Sequence, residues 1–499
     1  MKRIIPIFFV VFSLGIYVFF LNIQQVAGDS RQVNIFVNRS QSTALQKEFY
    51  GFNTNMSTGH FSYADKSIVD LVIKLHPGVI RFPGGTVANF YHWEKAGFDK
   101  SDFQIINDNA GGERLLKNYE NLQQRRGGKL SFDDFMILCN KLNIKPLIVV
   151  NLYTGTPAES AAWVRYVKEK GYRVFGWQLG NEVFLPPYRN KIKNIDDYIL
   201  IAKKHASAMR AVDPNIRLGV VAHHGNIDFY DKARVIRADK WNNRLGSEKF
   251  FDAYTAHLYL HTENSIDIKR DFNDVKVDLF ELSDAILETA VKSYTKSFPK
   301  KEMWITEWNI MFRENKDLAD TQLHALYCGD FFINMLNKSD VITNTDYHVF
   351  AGPWNGFPLI SAKGENPSNF VTRACYYSFD VIKDALTESD KRYAVSLENA
   401  PILKKVNKYM SKSVSGISAT SIGNQKKTFV LITNRMASDI SAKISIDSTI
   451  YNGKVKYTYL TAEKLNSTGE QNKIQVQSKV IDSGMLILPA NTLGVIEIL

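Results

Sequence analysis

The sequence predicts an α/β protein, a (β/α)8 TIM barrel with a C-terminal antiparallel β-sandwich domain, and three observations carry that expectation. Between residues 46 and 388, eight short apolar runs are interleaved with amphipathic helical patterns. That alternation implies right-handed parallel crossovers and a closed barrel. From about residue 390 the rhythm changes to short runs of alternating polarity, separated by turn residues and without a long helix, which is how a sandwich reads. The 499 residues, 45% of them apolar, suffice to bury one large core and a smaller one.

Residues 1–28 differ in kind from the rest. Lys2 and Arg3 precede an almost unbroken apolar run from residue 4 to residue 21, and Val26-Ala27-Gly28 offers a small-residue cleavage point. A secretory signal peptide is expected, hence an exported protein that is periplasmic, cell-surface or secreted. The run is also long enough to span a membrane marginally, but no stable span is expected once the signal is removed. Residues 29–45 hold a strand at 32–37 with no helix after it, so it is assigned to the β-sandwich.

The barrel is placed at 46–388. Its strands are expected at 48–53, 78–83, 146–151, 174–182, 217–222, 253–259, 303–307 and 341–349. Helices are expected at 65–75, 131–143, 156–170, 196–212, 277–296, 318–336 and 369–384. Ser131 and Thr156 look like caps, and Pro157 suits a first helical turn. Residues 99–128 read as a long loop, and loops of that length in compact domains tend to be functional. The sandwich is placed at 389–499, with strands at 428–432, 440–446, 454–459, 473–476 and 493–499.

Composition narrows the function. The net charge of +11 admits an anionic partner such as an acidic polysaccharide or a membrane surface. The basic residues are scattered, however, without the runs or interleaved aromatics of a nucleic-acid interface, so nucleic acid is excluded. Cys139, Cys328 and Cys375 follow neither metal nor framework spacing and read as buried thiols, at least one of them unpaired. There is no Gly-rich phosphate loop, Gly-x-Ser-x-Gly elbow or His-Glu-x-x-His pair, and His223-His224 is adjacent rather than four apart. No metal and no cofactor are expected, and the oligomeric state is not specified.

The chemistry is expected at two strand ends. The run at 174–182 closes on Asn181-Glu182, and the run at 303–309 stops at Glu307, 125 residues later. Strand ends of a barrel converge on one pocket, and two carboxylates there are the equipment of glycoside hydrolysis. Arg81, at the end of the second strand, is the cation that would keep one of them ionised. Glu307 would then be the nucleophile and Glu182 the acid/base. Asn181 would bind a sugar hydroxyl, Tyr259 would donate to the nucleophile, and His257 would line the acid/base side or serve as a core histidine. Trp93, Trp308 and Trp354 would offer ring faces to a polysaccharide or oligosaccharide substrate.

These motifs resemble a known group. Ile80-Arg81-Phe82-Pro83-Gly84-Gly85, Tyr91-His92-Trp93-Glu94, Trp177-Gln178-Leu179-Gly180-Asn181-Glu182, His257-Leu258-Tyr259 and Thr306-Glu307-Trp308-Asn309 are similar to the retaining glycoside hydrolases of clan A. The likeness is greatest to the family 51 α-L-arabinofuranosidases. The resemblance implies Glu182 as acid/base, Glu307 as nucleophile, Asn181 as hydroxyl binder, and Arg81 with Tyr259 as the groups holding the nucleophile. Two positions depart from that family's pattern: Asn53-Thr54-Asn55-Met56 holds no acid where the family has a substrate-contacting Glu, and Thr86 stands where an Asn is usual. A β-glycosidase or endoglucanase of the clan, such as a β-xylosidase or β-glucuronidase type, and a catalytically silent carbohydrate-binding barrel stay open beside it.

Overall fold

The computed structural model of the protein describes residues 32–54, 66–99, 101–102, 131–229, 231–262, 266–267, 269–312, 316–352, 356–362, 370–403, 409, 413–469, 471 and 473–499. The N-terminal segment expected to be a signal peptide, most of the 99–128 loop and Trp354 lie outside these residues.

After β1 (Val33–Ala44), the chain winds through β2 (Tyr50–Asn53), β3 (Val79–Phe82), β4 (Leu147–Val150), β5 (Gly176–Leu179), β6 (Leu218–Val221), β7 (Ala253–His261), β8 (Glu302–Met311) and β9 (Ile342–His348). These eight strands pair in parallel, and β9 closes on β2 with Thr345 opposite Tyr50, so the sheet is a closed barrel. The helices outside it are α1 (Lys66–Leu75), α2 (Phe132–Leu142), α3 (Pro157–Glu169), α4 (Ile195–Val212), α5 (Lys232–Gly246), α6 (Phe272–Ser297), α7 (Gln322–Leu336) and α8 (Ala374–Thr387). Ser131, Thr156, Asn194, Asp231, Asp271 and Thr321 each accept a first-turn N–H, satisfying a donor that has no partner within its helix.

Two features differ from expectation. α5 was not foreseen: its sequence is mostly polar or charged, and it buries only Ala238, Trp241, Asn242 and Leu245 among its fifteen residues, too few to show an apolar stripe. The strand expected to run through Glu182 ends at Leu179, and Glu182 adopts a left-handed backbone conformation with φ 45°. The chain thus turns sharply on leaving β5, at a conformational cost that non-glycine residues meet mainly at functional positions.

The floor of the barrel is closed by Trp304. A Cβ at Gly176 or Gly219 would lie 2.5 or 2.7 Å from its ring, so glycine at both places lets the indole fill the interior. The opposite, C-terminal end stays open.

The longer remaining strands form a second, mostly antiparallel sheet: β10 (Lys391–Glu398), β11 (Ile417–Gly423), β12 (Thr428–Asn434), β13 (Ile440–Ile446), β14 (Lys454–Ala462), β15 (Ile474–Asp482) and β16 (Thr492–Ile498). β1 joins them, antiparallel to β10 and parallel to β13, with Val37 opposite both Val395 and Ile446. Alternation along β12 explains how this sheet meets the barrel. Val430 and Ile432 enter the sheet's own apolar core, whereas Phe429 and Leu431 join the core shared with the barrel helices. Arg435, 1% exposed, fixes the joint through hydrogen bonds to Asp330 of α7 and Asp284 of α6.

Candidate active site

Arg81 projects from β3 into the open end of the barrel and is fully buried. Its Nε donates to Gln178 Oε1 at 2.9 Å, Nη1 to Glu307 Oε1 at 2.8 Å and Nη2 to Asn181 Oδ1 at 2.7 Å. One guanidinium therefore fixes the nucleophile candidate and the asparagine next to the acid/base candidate, using the rigid fork that only arginine supplies. Tyr259 Oη donates to the other oxygen of Glu307 at 2.7 Å.

A bulge aims Glu307. Along β7 and β8, Ile305 faces Ala256 and Glu307 faces His257, so Thr306 is an extra residue. Such an insertion reverses the faces of everything after it. It turns Glu307 into the barrel on the same strand whose Trp304 also points inward, and it sends Trp308 outward. His257, Tyr259 and His261, two apart along β7, share the inner face and line the same cavity as both glutamates.

His257 links the two acids. Its Nδ1 is 2.8 Å from Glu182 Oε1 and 3.6 Å from Glu307 Oε2. Those oxygens are therefore at most 6.4 Å apart, the sum of the two distances. Paired carboxyls that leave room for a water on the far side of the sugar are separated by about 6.5 to 9.5 Å, and those of double-displacement enzymes by about 5 to 5.5 Å.

The charges follow from the surroundings. Burial works to raise the Glu307 carboxyl, but His257, His348 and Arg81, with the Tyr259 hydroxyl, outweigh it and hold Glu307 well below the usual carboxylate range. Of these only the guanidinium is charged at every pH. Burial raises Glu182 too, and the His257 hydrogen bond, with the charges of His257 and His224, brings it below its ordinary value. Burial pushes His224 down to about 4 and Tyr259 well above its usual value, so the Tyr259 hydroxyl keeps the proton it donates.

Several residues here were not foreseen. Gln178 accepts from Arg81 and donates to the Gly180 carbonyl at 2.8 Å. Asn89 clamps the Asn181 backbone, accepting its N–H at 3.0 Å and donating to its carbonyl at 2.6 Å. His348, ending β9, is bonded through Nδ1 to Asn53 Nδ2 at 2.9 Å and lines the cavity. A polar side chain inside the otherwise apolar strand Gly176–Leu179 was the available signal for Gln178; His348 ends a strand that already holds Thr343, Asn344, Thr345 and Asp346, so it did not stand out. His224, of the adjacent pair noted above, places Nδ1 3.5 Å from Glu182 Oε1. Donor atoms of Glu182, His224 and His257 lie within 4.8 Å of one another, close enough to share a cation. Gly85 shows why the double glycine is there: a Cβ would stand 3.1 Å from Glu307 Oε1.

Two expected sugar platforms are corrected. Trp308 is fully buried on the outer side of β8, packed against Phe331 and Phe332 of α7 and Phe379 of α8, because the bulge turns it away from the cavity. Trp93 stacks on Trp163 of α3 with centroids 5.8 Å apart and donates to the Glu159 carbonyl, so its ring is engaged in packing away from the cavity. The cavity itself holds about 590 Å³, and its aromatic walls are Phe229, Tyr259 and Phe357 with His224, His257, His261 and His348.

Comparisons with known proteins meet this geometry. No family model matches the chain. A crystal structure of an arabinofuranosidase of glycoside hydrolase family 51 from Xanthomonas axonopodis pv. citri superposes with a TM-score of 0.71 over 93% of this chain and 99% of that one, at 14% identity. The fold is that of the family 51 arabinofuranosidases. In sequence, α-L-arabinofuranosidase C of Emericella nidulans is 24% identical over 212 residues, 39% of this chain and 40% of that protein. The intracellular exo-α-(1→5)-L-arabinofuranosidase of Acetivibrio thermocellus is 23% identical over 273 residues, 51% of this chain and 50% of that protein. The chain thus spans two fifths to half the length of these curated relatives. The likeness that the strand-end motifs imply is the one these comparisons return.

Proposed function

We propose that the protein is a retaining glycoside hydrolase, most like an α-L-arabinofuranosidase, acting on a polysaccharide or oligosaccharide by double displacement. The observation that carries this reading is the pair Glu182 and Glu307, whose nearest bridged oxygens are at most 6.4 Å apart and whose partners differ in kind. Glu307, ionised beside Arg81 and oriented by Tyr259, attacks the anomeric carbon and forms a glycosyl ester. Glu182 gives its proton to the departing oxygen, then takes one from the water that cleaves the ester. His257 Nδ1, 2.8 Å from Glu182 Oε1, orients that carboxyl for both transfers. Asn181, held by Arg81 and Asn89, binds the hydroxyl next to the reacting carbon, a contact that strengthens in the transition state.

The names of the relatives favour arabinofuranose. One observation favours the second reading, a β-glycosidase of the same clan: Asn53-Thr54-Asn55-Met56, after the first barrel strand, holds no acid where family 51 has a substrate-contacting Glu. We take the protein to be exported, from the charged start and apolar run of residues 1–28; no described helix is long and apolar enough to cross a membrane. Aryl α-L-arabinofuranoside, β-xyloside, β-glucoside and β-glucuronide separate these readings by which one is cleaved. Glu182→Ala should cut the rate on a poor leaving group by about 10²- to 10⁴-fold, the usual worth of a general acid. If Glu182→Ala and Glu307→Ala both keep wild-type activity, the roles assigned to them are wrong.

A further inference from the structure

We propose that Cys328 and Cys375 form a disulfide bond that ties α7 to α8 behind the strands carrying Glu307 and His348. The two residues are 47 positions apart, yet their Sγ atoms are 2.6 Å apart, and both side chains are buried. His324, one turn before Cys328 on α7, completes the cluster: a donor atom of each of the three lies within 4.8 Å of the others. His324 Nε2 is 2.9 Å from Asn309 Oδ1, an acceptor, so Nε2 carries the ring proton. Nδ1 therefore presents a lone pair, and it is buried without a hydrogen-bond partner.

Two soft sulfurs and an imidazole also describe a zinc site, and distance decides between the two. Thiolates sharing one tetrahedral zinc, with Zn–S bonds of about 2.3 Å, stand about 3.8 Å apart. Bonded sulfurs are about 2.05 Å apart, so the observed separation lies nearer a bond than a metal bridge. The environment also makes the two thiols unequal. Burial raises both; for Cys375 the Cys328 hydrogen bond and His324 outweigh it and bring it below its usual value, while Cys328 remains well above its own.

The bond forms by exchange with an external disulfide before the helices close. Cys328 displaces one thiol from that disulfide and becomes a mixed disulfide. As α8 docks, Cys375 yields its proton to His324 Nδ1, and its thiolate attacks the Cys328 sulfur. The Cys328–Cys375 bond forms, the second external thiolate leaves and takes up a proton. Two protein thiols are oxidised and one external disulfide is reduced to two thiols. The consequence is a fixed backing for β8 and β9, since Asn309, held by His324, also donates to the His348 carbonyl at 2.7 Å.

The full-length protein, refolded from the reduced, denatured state in the presence of glutathione disulfide, is denatured again and its thiols are titrated, with a non-reducing peptide map of the same sample. Of the three cysteines, only Cys139 should titrate before reduction and all three after it. The peptides holding Cys328 and Cys375 should be linked and two hydrogens lighter than their sum. The oxidised protein should melt about 4 °C above the reduced one, as expected for closing a loop of this length in a chain of this size. Three free thiols in the oxidised sample, a link through Cys139, or stoichiometric zinc whose removal by a chelator frees both thiols would each overturn the proposal. Thiol counting is independent of catalysis, so its outcome leaves the glycosidase reading to be judged separately.

Discussion

Replacing Tyr259 by phenylalanine removes one oxygen atom and isolates one contact. The Tyr259 hydroxyl stands 2.7 Å from Glu307 Oε2, and burial keeps it protonated, so it is a donor at every working pH. A hydrogen bond to a charged acceptor contributes about 1.5 to 3 kcal/mol, and at about 1.4 kcal/mol per tenfold that is roughly a 10- to 100-fold loss in kcat/KM. Arg81 stays in place, so Glu307 stays ionised near neutrality, but losing the hydroxyl raises its carboxyl and moves the acid limb of the pH profile upward. The assay is kcat/KM for an activated aryl glycoside from pH 3 to 9, with thermal melting to confirm that the fold is intact. A variant within twofold of wild type and with the same acid limb would refute the claim that Tyr259 holds the nucleophile.

Arg81→Lys keeps the charge and loses the fork that reaches Gln178, Glu307 and Asn181 together; losing two charge-assisted bonds should lower kcat/KM by about 10²- to 10⁴-fold, measured on the folded fraction. Gly85→Ala places a methyl 3.1 Å from Glu307 Oε1, so kcat should fall while the melting temperature moves little. His92 is bonded to Asp102 at 2.6 Å and Glu159 at 3.0 Å, which raises it from 6.5 to about 9. Because its folded value exceeds its unfolded one, the stabilisation is complete below about pH 6.5 and is lost as pH rises through about 9. The melting-temperature gap between wild type and His92→Gln should therefore be widest at pH 6 and close by pH 10.

Much of this architecture was legible as punctuation. The runs that lead to Arg81, to Asn181 and to Glu307 are short and apolar with polar residues at or just past their ends, and these residues and Tyr259 are brought together because parallel strands of a closed barrel all present the same end. Other features depend on neighbours. The extra residue at Thr306 exists only relative to the pairing of β7 with β8, so nothing in the local sequence says that Trp308 faces outward. Trp93 is lost to Trp163, a partner seventy residues away on α3. The helix Lys232–Gly246 was invisible because a helix that buries one narrow side needs few apolar residues. Asn89 was hidden for a similar reason: its hydrogen bonds go to the Asn181 backbone, 92 residues away, and a loop asparagine gives no local sign of that.

The most direct test of the central claim is to find the covalent intermediate. Glu182→Ala, given an aryl α-L-arabinofuranoside with a good leaving group, should form the glycosyl ester quickly and hydrolyse it slowly. Rapid quenching and peptide mass mapping should then place one pentosyl group on the peptide containing Glu307, and azide should release it as a glycosyl azide of the substrate's configuration. If the variant turns over this substrate with no adduct on that peptide, and the wild-type product emerges with inverted configuration, double displacement at Glu307 is contradicted.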